Sequence, residues 1–176
     1  TRTYAYTYDG MGRRLSETIN GTFVTRWAYD AMGNMARMES PYTSAGGQHY
    51  VETRTYDGLG RMLSKIDAGG YTTTFVYDAE GNVLGITDAR GVTISQGYSS
   101  GGYLGAITQP TGWPGAAGTE AVTRYVRDAV GNIISTIDPR GAGFATTVVL
   151  DAQNRPVQIT QLGGGSTPDT VQTFKY

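Results

Sequence analysis

Three groups of residues have types and spacings that match known chemistry. Carboxylates recur at Asp9, Asp30, Asp57 and Asp78. Two of them one two-stranded unit apart would stand roughly 9.6 Å from each other, at the edge of the ~6.5 to 9.5 Å used by inverting glycosidases. The same acids, with Asn34 and Asn82 close by, offer oxygens to Ca²⁺. Gly97-Tyr98-Ser99-Ser100-Gly101 matches the G-x-S-x-G elbow that exposes a nucleophilic serine. Each reading lacks a part. Every repeat presents the same carboxylate pair, so nothing separates a general acid from a base. Calcium takes about 6 to 8 oxygens, more than these turns present. The elbow needs a helix behind it and an acid and a histidine after it, yet the single imidazole, His49, precedes Ser99. With 0 Cys and 1 His, disulfides, thiolate metal sites and multi-histidine metal sites are excluded. The residues describe a chain that is not an enzyme and carries no cofactor.

The elements that would position these side chains follow from a repeat. Tyr8-Asp9-Gly10-Met11-Gly12-Arg13, Tyr29-Asp30-Ala31-Met32-Gly33-Asn34, Tyr56-Asp57-Gly58-Leu59-Gly60-Arg61 and Tyr77-Asp78-Ala79-Glu80-Gly81-Asn82 are copies of one segment. Degraded copies stand at Tyr98-Ser99, at Arg127-Asp128 with Gly131 and Asn132, and at Leu150-Asp151 with Asn154 in the glycine's place. Successive Asp positions, with Ser99 in that register, are 21, 27, 21, 21, 29 and 23 residues apart. In Asp-x-x-Gly the carboxylate accepts backbone N–H groups two residues on, and the glycine takes a positive φ. Asn tolerates that conformation next best, which suits Asn154. A second turn lies about ten residues on, at Asp67, Asp88 and Asp138, and as Asn20-Gly21 in the first unit. Two turns of about 4 residues and two strands of about 6 or 7 make the 21-residue unit.

Outgoing strands are predicted over 61–66, 82–87 and 132–137, and returning strands over 71–76, 92–96 and 144–149. The third residue after the turn glycine, or after Asn154, is apolar in Leu15, Ala36, Leu63, Leu84, Ile134 and Val157. A ring precedes the motif tyrosine position by two in Tyr6, Trp27, Phe75, Tyr125 and Phe174. By the period of two these rings share a face with the motif tyrosines. That aromatic stripe is either the packing face of the sheet or a platform for sugars or extended peptide. Pro, Gly, Ser and Thr concentrate in the long steps, so insertion loops are expected at about 40–49 and 109–119. No window has a sustained 3.6 period, and helix is expected to be near zero. Gly is 26 of 176 residues and Tyr 13, a profile of turn-rich β-structure. The net charge of −1 gives no field that would gather nucleic acid, and no apolar run reaches a membrane span.

Alternating Tyr-Asp-x-x-Gly-Arg and Tyr-Asp-x-x-Gly-Asn at this spacing resembles the YD repeats of the RHS family of bacterial polymorphic toxins, toxin-complex shells and teneurins. The resemblance covers nearly the whole chain, residues 1–176, as a single repeat array. It implies an all-β antiparallel hairpin meander of about seven repeats, coiling into an open spiral or part of a hollow β-shell. It also implies flanking repeats and an enclosed toxin domain as partners, and a secreted or cell-surface setting. Both ends enter mid-repeat, so a longer parent array is expected. Asp138-Pro139-Arg140-Gly141 is similar to the Asp-Pro-x-Gly hallmark of the family's self-cleaving segment, but it lies in register with the second turns at Asp67 and Asp88 and reads as a turn. Carbohydrate on the aromatic face and self-association through uncovered edge strands are the other partners the sequence allows.

Overall fold

The computed structural model describes residues 1–43, 47–111, 120–165 and 167–176. Among them are fifteen strands in one antiparallel sheet whose strand order is the chain order, β1 to β15. The strands are β1 (Tyr4–Tyr8), β2 (Arg14–Ile19), β3 (Phe23–Tyr29), β4 (Met35–Thr43), β5 (His49–Tyr56), β6 (Met62–Ile66), β7 (Thr72–Tyr77) and β8 (Val83–Thr87). They continue as β9 (Thr93–Tyr98), β10 (Leu104–Pro110), β11 (Glu120–Arg127), β12 (Ile133–Ile137), β13 (Thr146–Leu150), β14 (Pro156–Gln161) and β15 (Thr170–Thr173). The only helix among the described residues is a 3₁₀ turn at Ala142–Phe144. Phe144 therefore does not begin a strand. Gly141, at φ 114°, turns the chain into this short helix before β13 starts.

The chain divides into two compact units: residues 1–76 with 87–90, and 77–86 with 91–176. Each repeats the same local plan. In the first, β2 and β3 join through Asn20-Gly21, whose φ values of 51° and 70° form the left-handed pair a tight hairpin requires. The pairings across the turns at Asp9, Asp30, Asp57, Ser99, Asp128 and Asp151 each carry a β-bulge at the same place. Thr7 faces Ser16 but Tyr8 faces Arg14, so Leu15 is extra. Ala36 and Leu63 are extra in the same way opposite Tyr29 and Tyr56. In the second unit Gly105, Ile134 and Val157 are the extra residues. In these pairings the third residue after the turn glycine or Asn154 is the bulge itself, where two residues of one strand oppose one of the other.

The strands run into the first long step: residues 40–43 extend β4 and His49 opens β5. Pro41 is tolerated because it falls in a stretch where the register shifts between Glu39 and Thr43. Residues 44–46 and 112–119 of the two expected loops lie outside the described residues.

A single layer has little interior. Among the described residues only Gly85 and Ala145 are buried. The aromatic stripe is partly covered: Trp27, Phe75 and Tyr125 are half-buried, whereas Tyr6 keeps 42% and Phe174 39% of its surface exposed. Arg14 lies over the Tyr6 ring at 4.9 Å and the Trp27 ring at 5.5 Å, so the stripe is lined by charge from its own sheet.

Because a one-residue slip moves every later side chain to the opposite face, deleting bulge residue Leu63 is expected to lower the melting temperature by at least about 5 °C. Substituting Leu63 with Ala should cost far less. Calorimetry on both variants checks this, and equal losses would mean the bulge does not set the register.

Candidate functional site

One constellation recurs along the edge where the Asp-x-x-Gly turns lie. The Asp9 carboxylate accepts the amides of Met11 and Arg13, each at 2.9 Å, on one oxygen and the Arg13 Nε–H at 2.6 Å on the other. The Gly12 N–H donates to the Asp9 carbonyl at 3.0 Å, and the Asp9 N–H to the Arg13 carbonyl at 2.9 Å. Asp57 repeats this with Leu59 and Arg61, its Arg61 Nε contact also 2.6 Å, and Asp151 repeats it with Gln153 and Arg155. In the alternate repeats an amide replaces the guanidinium. Asn34 Nδ2 donates to Asp30 at 3.0 Å, Asn82 Nδ2 to Asp78 at 2.8 Å and Asn132 Nδ2 to Asp128 at 2.8 Å. Gly12, Gly33, Gly60, Gly81 and Gly131 all hold φ between 78° and 98°, and Asn154 holds 60°.

Successive turns touch. A Cβ on Gly33 would meet the Arg13 guanidinium at 3.2 Å, and one on Gly60 would meet Asn34 Oδ1 at 3.4 Å. Asn132 Nδ2 donates to Asn154 Oδ1 at 2.9 Å, so the asparagine that replaces glycine makes by hydrogen bond the contact its neighbours make by close approach. The motif tyrosine adds a second link. The Tyr29 hydroxyl donates to the Arg14 carbonyl at 2.9 Å and the Tyr56 hydroxyl to the Met35 carbonyl at 3.0 Å. Both acceptors immediately precede the extra residue of the previous unit's bulge. Where Arg127 replaces tyrosine, its Nη2 reaches the corresponding Leu104 carbonyl at 3.4 Å and its Nη1 bonds the Gly131 carbonyl at 2.8 Å. Arg13 lies over the Tyr29 ring at 4.7 Å, and Arg155 over the Tyr176 ring at 4.5 Å. Tyr8 is 54% exposed, and Tyr77 is half-buried.

These bonds decide the chemistry of the carboxylates. The amide of the residue four on holds the Asp9, Asp57 and Asp151 carboxyls below the ordinary aspartate range. In Asp30, Asp78 and Asp128 the Asn side chain is the main cause of the same lowering, with partial desolvation opposing it. Such groups stay ionised at neutral pH and cannot serve as general acids. Asp67 accepts the Gly69 and Tyr71 amides, Asp88 pairs with Arg90, and Asp138 with Arg140. Asp138 therefore sits in a turn of the same kind. Ser99 lies in a turn followed by strand β10, and His49, with Nδ1 2.9 Å from the Ser40 carbonyl oxygen, belongs to the other unit. No group of three His, Cys, Asp or Glu able to hold a metal occurs among the described residues. No helix there is long and apolar enough to cross a membrane.

The family model for the RHS repeat matches residues 56–93 and 77–112. A search of curated proteins finds no match. Among solved structures, the crystal structure of TcdB2-TccC3 aligns over 90% of this chain and 11% of its own, at 18% identity and a TM-score of 0.49. The Photorhabdus luminescens Tc holotoxin pore aligns over 90% of this chain and 10% of its own, at 17% identity and a TM-score of 0.48. This chain thus spans about a tenth of the chains it aligns with.

Two outcomes follow from the turn chemistry. The six motif carboxyls have folded pKa values below their unfolded ones. The unfolded chain binds more protons, and their stabilisation is complete above about pH 5 and lost as pH falls below about 4. A melting temperature level from pH 5 to 7 and falling steeply towards pH 2 is expected, and one insensitive to acid would contradict it. Tyr56→Phe should cost about 1 kcal/mol through the lost bond to the Met35 carbonyl. Urea titration measures that loss, and an unchanged midpoint would remove the tyrosine link.

Proposed function

We propose that this chain, which carries RHS repeats over residues 56–112, is throughout its 176 residues a single array of YD repeats and works as a non-enzymatic wall segment of an RHS-type shell. In this reading the strip coils with adjoining repeats of a longer chain and encloses a C-terminal toxin or other polypeptide cargo, in a secreted or cell-surface protein. Adjoining repeats are the partners expected at β1, whose five residues are all exposed. The observation that carries the reading is the use of the recurrent polar groups. The motif carboxylates are spent on their own turns, and the heads that satisfy them reach the next turn, which is how a wall is built and not how a substrate is met.

Enclosure is tested by limited proteolysis of the full-length parent. A domain C-terminal to the repeats should resist protease until the sheet unfolds. Cleavage of that domain as fast as when it is expressed alone would refute the proposal. Glycan titration of this chain separates a wall from a carbohydrate-binding module. Affinity no better than about millimolar is expected, because an open sheet has no concave site around a sugar. Micromolar binding lost in Trp27→Ala, Phe75→Ala or Tyr125→Ala, with the fold intact, would replace the wall by the binding module.

A further inference from the structure

In the ladder of turns the joint between the Asp78 and Ser99 turns differs from those that precede the Asp30, Asp57 and Asp128 turns. Ser99 stands where the other turns have aspartate, and among the described residues no hydrogen bond joins its hydroxyl to the turn amides. Only the backbone bonds remain, Ser99 N–H to the Tyr103 carbonyl and Gly102 N–H to the Ser99 carbonyl, each at 2.9 Å. A serine hydroxyl makes such turn bonds more weakly than a carboxylate. The Tyr98 hydroxyl is 2.7 Å from Gln96 Oε1 on its own strand, instead of reaching back as Tyr29 and Tyr56 do.

The contact between turns is missing as well. A Cβ on Gly102 would meet nothing within 4 Å, whereas those on Gly33, Gly60 and Gly131 would meet Arg13, Asn34 and Tyr103. A cleft of about 330 Å³ opens here, between Asp78, Glu80 and Asn82 on one side and Tyr98, Ser99 and Ser100 on the other. Gly97 in β9 and Gly105 in the adjoining bulge place no side chains against their neighbours. Across the following joint the Tyr103 ring packs against Gly131 beneath the Arg127 guanidinium at 5.2 Å, so the weakness is confined to one side of the Ser99 turn.

In an array stabilised by nearest-neighbour contacts, the weakest interface opens first. We propose that the joint between the Asp78 and Ser99 turns is a built-in seam, at which the sheet parts before any other repeat does. Loss of the carboxylate, of the tyrosine link and of the turn contact coincide there, and each is present at the Asp30 and Asp57 turns.

Hydrogen exchange of the whole chain at neutral pH, followed by mass spectrometry, tests the seam. Amides of β9 and β10 should exchange at least about tenfold faster than those of β13 and β14, the factor expected from one lost charge-assisted hydrogen bond. Ser99→Asp should slow exchange in β9 and β10 by a similar factor and leave β13 and β14 unchanged. Asp128→Ser should create a second fast segment in β11 and β12. Equal protection across the wild-type sheet, or a Ser99→Asp variant with no local slowing, would overturn the proposal. So would an Asp128→Ser variant that exchanges like wild type.

Discussion

The bond on which the rest depends is that between each motif carboxylate and the amides of its own turn. A sheet of one layer has almost nothing to bury, and two buried residues among those described cannot supply a core. Its cohesion must come from ladder hydrogen bonds, half-covered cross-strand pairs and turns that hold their geometry without help. An Asp oxygen that accepts the amides two and four residues on fixes the turn from within, at no cost in buried surface. The second oxygen then orients the Arg or Asn head that reaches the next turn. Local turn chemistry and contact between repeats thus share one side chain.

Much of this was legible because the turn is local. Asp-x-x-Gly contains its donor, its acceptor and its left-handed residue within four positions, so the sequence alone places the turns and, between them, the strands to within a residue or two. Arg13, Arg61 and Arg155 stand only four positions from the carboxylates they pair with. What is not local was not readable. The recurring apolar residue at Leu15 or Leu63 looks like an ordinary member of a face, since a period-two pattern does not show which residue the partner strand leaves unopposed. The reach of the Tyr56 hydroxyl to a carbonyl 21 residues back exists only once the strands are paired. Around Pro41 composition misled, because Pro, Ser and Thr are read as loop formers, while a register break lets them stay in β4.

The aromatic residues show how context changes the meaning of a side chain. The rings of the stripe have no second layer to pack against, yet Arg14 and the flat neighbours of the sheet cover much of Trp27. Tyrosine at the motif position is used at both ends, its ring carrying a guanidinium and its hydroxyl capping a bulge. Arg127 can stand in for it because a guanidinium also spans the distance to the bulge carbonyl and bonds the Gly131 carbonyl with its other Nη.

The link from a tyrosine back to the preceding bulge, met by a guanidinium reaching forward, gives the array a direction. The Asp30 unit offers a hydroxyl to the bulge before it and its Asn34 head to the turn after it, so the two sides of the unit are not interchangeable. Growth of such a gene by duplication is thereby constrained. A copied block must begin and end at equivalent points of the unit, or the new boundary sets a hydroxyl against a hydroxyl and a guanidinium against nothing. The recurrence that spaces the turns evenly is also what lets such a sheet change its length one whole hairpin at a time.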